Sequence, residues 1–164
     1  MKNKFVILQP WIGLVARLTL GGVLFVAGYL KIGEPDKSQM AVRAYEMLPI
    51  SVANMLGLVL PFAEVAIGAL LILGSLTRVM AALGGLTMVI FVIAISQAWA
   101  RGLNIDCGCF GGGGAVAPGE TKYLQEILRD VGLAFLAAYL IRYPFTKFSL
   151  DKNPNTNTSQ EDVA

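Results

Sequence analysis

The chain contains no histidine and only two cysteines, Cys107 and Cys109. The first absence removes the side chain that most often shuttles protons near neutral pH and most often ligates metals. Two thiolates without a third Cys or His make a poor closed site even for soft Cu(I), so no metal is expected. Charge is scarce too: Asp, Glu, Lys and Arg make up 15% of the residues against 55% hydrophobic ones, with a net charge of +2. A mean hydropathy of +0.64 is too apolar for a soluble domain of 164 residues. The basic residues are scattered, so no continuous patch exists to bind nucleic acid by releasing counterions. Chemistry is left to thiols, carboxylates or a bound cofactor.

Long apolar runs are plentiful. A spanning helix needs about 20 mostly apolar residues, because the hydrocarbon core is roughly 30 Å thick and each residue rises about 1.5 Å. Residues 12–32 meet this with only Arg17 and Lys31 as charges, 51–76 with only Glu64, and 79–100 with none. A weaker fourth run, 123–143, is interrupted by Glu126, Arg129, Asp130 and Arg142 and has to hide its charged first half against the bundle or in the interface. The expected fold is all-α: a four-transmembrane-helix bundle filling residues 1–150, with a disordered cytoplasmic tail at 151–164 whose polar composition has nothing to bury. The first run passes into Tyr29-Leu30-Lys31 without an Ala-x-Ala site, which fits an uncleaved signal anchor.

Trp11, Tyr29, Trp99, Tyr123 and Tyr143 fall near predicted span ends, where interfacial aromatics belong. Gly21, Gly22, Gly28, Gly68, Gly84 and Gly85 fall inside spans, where small residues let backbones approach. Between the first two spans, Met40, Ala41, Ala44, Tyr45 and Leu48 share one stripe of the segment 34–48, which reads as a short amphipathic interfacial helix. Basic residues outside the spans or at their very ends number six on the side of the termini, Arg142 included, and five on the other, Lys31 included. That bias favours cytoplasmic termini in the inner (cytoplasmic) membrane, with the Cys loop on the periplasmic or extracellular side, where disulfides persist.

The loop 101–122 carries Asp106-Cys107-Gly108-Cys109-Phe110 followed by Gly111 to Gly114. Two thiols one residue apart form a small, strain-prone disulfide ring, and strained exposed disulfides are the oxidising, labile ones. Gly108 permits the bend. The glycine run either lets the dithiol swing toward a partner or lets another backbone dock closely. Against this stands a bland alternative, two small apolar residues in a flexible loop. Asp106 tends to raise a neighbouring thiol's pKa unless Arg101 or Lys122 offsets it.

Ionisable groups at membrane depth are functional candidates, or interhelical pairs that fix packing. Counting rises, Arg17 lies about 9 Å from one edge and Glu64 about 20 Å from the other, so the two are expected to pair, structurally or around a quinone head group or proton path. Asp130, about 10 Å below the Cys loop, is a candidate proton donor or acceptor for thiol exchange, alone or paired with Arg129 or Arg17.

The runs Arg17-Leu-Thr-Leu-Gly-Gly, Ala27-Gly28-Tyr29-Leu30-Lys31 and Tyr45 to Pro49, then Glu64 with Gly68, and Cys107-Gly-Cys-Phe-Gly111 together resemble the MauE/DoxX family of redox-associated membrane proteins over about residues 10–143. That resemblance implies a four-helix membrane fold linked to methylamine dehydrogenase maturation, thiosulfate:quinone oxidoreduction or periplasmic thiol systems. The arrangement also looks like the disulfide-generating quinone reductases of the DsbB and vitamin K epoxide reductase type, which relay electrons through two cysteine pairs where this chain has one. The expected function is a membrane thiol-disulfide oxidoreductase, or an accessory of one. Cys107 and Cys109 would cycle against a thioredoxin-like or sulfurtransferase partner, with a membrane quinone as candidate cofactor. Two alternatives stand beside it: a non-catalytic subunit or assembly factor, and a transporter for a sulfur compound or soft metal.

Overall fold

A computed structural model describes residues 2–144 and 146–151, with backbone alone for 2–7. Its elements are α1 (Lys2–Ile32), α2 (Pro35–Ala44), α3 (Ile50–Leu73), α4 (Thr77–Ala100), β1 (Ile105–Asp106), β2 (Gly114–Ala115) and α5 (Tyr123–Arg142). Three stretches, Leu8–Ile32, Ile50–Leu73 and Thr77–Ala100, are long and apolar enough to cross a membrane. The chain is therefore a multi-pass membrane protein. The expected fourth span forms as helix α5, but its charged first half keeps it below the hydropathy of the other three.

Helix α1 runs antiparallel to α3, and α4 to α5. Glycines set the α1–α3 spacing: a Cβ on Gly28 would lie 2.5 Å from the Pro61 carbonyl oxygen, and one on Gly68 would lie 2.7 Å from that of Gly21. Between α4 and α5, a Cβ on Gly85 would stand 2.8 Å from that of Ala137. Gly22, expected at an interface, faces open space instead. The main core gathers Leu20, Leu24, Leu71, Met88, Leu133 and Leu140. A second cluster at the opposite end from the termini joins Ile95, Ala98, Ile105 and Tyr123.

At the end carrying the termini, Gly74 closes α3 in the left-handed conformation (φ +69°), with its own N–H and that of Ser75 returning to carbonyls of the last turn. Helix α4 then starts without a local cap, and the Asp151 carboxylate supplies one by accepting from the backbone N–H groups of Leu76 and Thr77, each at 2.8 Å. The first residue of the expected disordered tail is thus part of the fold, while the rest of that tail lies outside the described residues. Asp151→Ala should lower stability by about 1 kcal/mol and Asp151→Asn by less, because Asn caps nearly as well. Thermal unfolding in detergent checks this, and equal midpoints for Ala and wild type would refute the cap.

Helix α2 opens on Pro35, pre-set for a first helical turn, and carries Asp36 early and Arg43 late, matching the helix dipole. It lies across the first half of α3, where the Ser38 hydroxyl donates to the Gly57 carbonyl at 2.6 Å. The predicted stripe divides: Ala41 is buried, while Met40 and Leu48 remain exposed. Arg101, at the end of α4, pins the far end of α2 by donating to the Tyr45 carbonyl and the Glu46 carboxylate.

Candidate functional site

The Cys loop is a small antiparallel hairpin, with Ile105 opposite Ala115 and Asp106 opposite Gly114. This was not expected in an all-α chain. Tyr123 anchors its base: its hydroxyl accepts from the Ile105 N–H at 3.1 Å and donates to the Leu103 carbonyl. Tyr123 is accordingly buried.

The tip, residues 107–113, is held rather than loose. The Gly108 N–H donates to Asp106 Oδ1 at 3.2 Å, and Gly108 takes φ +69°, open chiefly to glycine. Cβ atoms on Gly108 or Gly113 would run into Ala41 of α2. Of the two roles open to the glycine run, close docking of a backbone is the one seen. Tyr45 adds a clamp by donating to the Cys107 carbonyl at 3.3 Å. Burial, then the neighbouring thiols, push the Tyr45 phenol well above its usual range, so it stays a donor.

Both cysteines are free thiols, Cys107 partly exposed and Cys109 only 6% exposed. The Cys109 N–H donates to Cys107 Sγ at 3.2 Å. The adjoining Cys107 thiol lowers the Cys109 pKa against the opposing effect of burial, with Arg129 and Lys31 assisting. The adjoining Cys109, followed by burial, raises the Cys107 pKa. These directions favour Cys109 as the first of the two thiols to lose its proton.

Below the tip, Arg129 lies 5.0 Å from the centre of the Phe110 ring and donates through Nε to Asp130 Oδ1 at 2.8 Å. Asp130 is 1% exposed, and its Oδ2 has no hydrogen-bond partner among the described residues. The structure thus places Asp130 on the same cavity as Cys109 and pairs it with Arg129, one of the two arginines considered for it, rather than with Arg17. It does not bring Arg17 and Glu64 together. Both Glu64 oxygens accept from Lys31 Nζ at 2.8 Å. Arg17 instead donates to Thr146 Oγ1 at 2.8 Å and to the Phe148 carbonyl at 3.1 Å, near the termini. Rise counting fixes Cα heights, but helical side chains lean toward the N-terminus of their helix. On α1 that lean carries Arg17 away from Glu64 and Lys31 down to it.

Two residues of the site escaped sequence reasoning. Lys31 was counted as an end charge. Glu126 was counted only as an interruption, yet its carboxylate lies within 4.8 Å of the ligand atoms of Asp106 and Cys107. The i, i+4 spacing of Glu126 and Asp130 puts both on one face of α5, and that signal would have found it.

A family model described as methylamine utilisation protein MauE matches residues 9–143. The chain belongs to the MauE family. A curated relative, methylamine utilization protein MauE of Paracoccus denitrificans, is 31% identical over 109 residues, covering 65% of this chain and 58% of the relative. The match therefore spans little more than half of that protein's length. No solved structure matches the chain. The matched residues of this MauE-family chain take in the dithiol, the Lys31–Glu64 pair and Asp130.

Proposed function

We propose that this MauE-family protein is a membrane accessory of a redox pathway that exchanges electrons between Cys107–Cys109 and a thioredoxin-like or sulfur-metabolism partner. In this reading α5 is the fourth span, the termini are cytoplasmic in the inner membrane, and the hairpin faces the periplasm or exterior. The relative's tie to methylamine utilisation suggests the same setting here. The observation that carries the reading is the pair of free thiols held together at a hairpin tip, with the Cys109 N–H donating to Cys107 Sγ at 3.2 Å and Cys109 the more buried residue of the two.

In the exchange, the Cys107 sulfur attacks a partner disulfide as its proton passes to Cys109, and one partner sulfur leaves as thiolate and is protonated. Cys109, on losing a proton, then attacks the Cys107 sulfur of the mixed disulfide and releases the second partner sulfur. Two electrons move to the partner, with the one proton that the pair holds when Cys109 starts as thiolate; the partner's second thiolate takes its proton from the medium. A membrane quinone suits the reverse direction, in which a partner dithiol reduces the Cys107–Cys109 disulfide and the quinone, taking two electrons and two protons, reoxidises the dithiol.

A gel shift with a maleimide reagent on the full chain in membranes tests this. Two thiols should be labelled after mild reduction and none after diamide. Thiols that stay labelled under oxidant would end the exchange reading. A second reading, a non-catalytic recruiting subunit, is favoured by the exposed Met40, Met47, Leu48 and Phe110 on or beside α2 and the hairpin. It predicts that a Cys107→Ser chain still copurifies with its partner and supports full activity.

A further inference from the structure

We propose that a small interior cavity between Cys109 and the Lys31–Glu64 pair is a proton site holding one water, through which Asp130 takes the Cys109 proton and shares it with the pair. The proposal rests on the exchange reading for its purpose, though not for its test. Cys109 must lose its proton before it can resolve a mixed disulfide, and at 6% exposure it has little access to bulk water.

The cavity beneath it is lined by Cys109, Arg129, Asp130 and Glu64, with apolar walls that include Leu24 and Met88. About 10 Å³ is open to a water-sized sphere. A single water needs roughly 10–15 Å³ by that measure and two to four polar neighbours, so the space suits one molecule and no larger ligand. Asp130 meets the electrostatic requirement. Arg129 engages Oδ1 and fixes the carboxyl group, while Oδ2, also buried, has no partner among the described residues. A buried carboxyl oxygen of this kind is costly without a hydrogen bond, and a bridging water supplies it.

The charged or titratable groups around Cys109 are Cys107 on the hairpin, Lys31 on α1, Tyr45 at the end of α2, Glu64 on α3, and Glu126, Arg129 and Asp130 on α5. Helix α4 offers the cavity only Met88 and Phe91. On oxidation, the Cys109 S–H bond breaks as the S–S bond forms. The electron pair of that S–H bond makes the new bond to Cys107, the pair of the broken Cys107–partner S–S bond leaves with the departing partner sulfur, and the proton passes to Asp130 by way of the water. Lys31–Glu64 then stabilises the added charge. On reduction the proton returns by the same route.

The test is deuterium exchange of the Cys109 S–H stretching band, read by infrared spectroscopy on the full Cys107→Ser chain in lipid nanodiscs transferred to D2O. Asp130→Asn should slow that exchange about tenfold or more, Asp130→Glu should restore most of it, and Glu64→Gln should slow it less. An unchanged rate in Asp130→Asn would overturn the proposal, as would Asp130→Glu exchanging as slowly as Asp130→Asn. If Asp130→Asn does not fold, the Lys31→Met, Glu64→Gln double variant decides, with slowing expected and an unchanged rate overturning it. Dithiols that resist diamide while S–H exchange still depends on Asp130 would sink the exchange reading alone.

Discussion

Replacing Cys109 by serine is expected to trap a mixed disulfide between Cys107 and the partner, whereas replacing Cys107 is expected to trap none. The asymmetry follows from burial: Cys107 is the more exposed residue of the two, and Cys109 is only 6% exposed. The Cys109→Ser chain retains the attacking sulfur and loses the resolving one, so the covalent intermediate accumulates. Either substitution should reduce exchange by about 100-fold or more, as loss of a nucleophile does. Non-reducing electrophoresis of membranes quenched with acid, followed by mass spectrometry of the adduct, reads the result. Equal trapping by both variants would mean that the order of attack is wrong.

The largest stability effect is expected at Lys31–Glu64. Its side chains are only 6% and 1% exposed, and both carboxylate oxygens are engaged. Glu64→Gln or Lys31→Met alone strands a charge in an apolar surround and should cost about 3–5 kcal/mol. The double variant Lys31→Met, Glu64→Gln should recover most of that loss, since replacing both partners removes the desolvation penalty. Arg17 cannot substitute for Lys31, because it is committed to Thr146 and Phe148 near the termini. Unfolding in mixed micelles, followed by circular dichroism, measures all three variants. If the double variant loses as much as the sum of the singles, the pair is not the source of the cost.

Hydropathy made the helices legible, because burial in lipid demands an unbroken apolar run and three such runs stand out. The redox candidate was legible for a different reason: two thiols around a glycine in a loop have few packing roles. Other features depended on geometry that linear spacing does not encode. Rise per residue located the Cα atoms of Arg17 and Glu64 but not the reach of their side chains, so Lys31 was passed over. The hairpin 105–115 was hidden because a glycine-rich stretch lacks the alternation that marks a strand. Its order comes from Ala41, more than sixty residues earlier, which no local pattern announces. Tyr123 looked interfacial by position, yet its hydroxyl ties two loop residues together and draws the ring inward.

The contact between Ala41 and the glycines of the hairpin has a kinetic implication. In the proposed exchange, a hairpin packed this closely against a helix has little room to search, so the excursion that brings sulfur to sulfur falls to the visiting molecule. Turnover should then follow the suppleness of the visitor's cysteine segment. Visitors whose disulfide protrudes should be served quickly, and those whose disulfide is recessed should be turned away by shape alone.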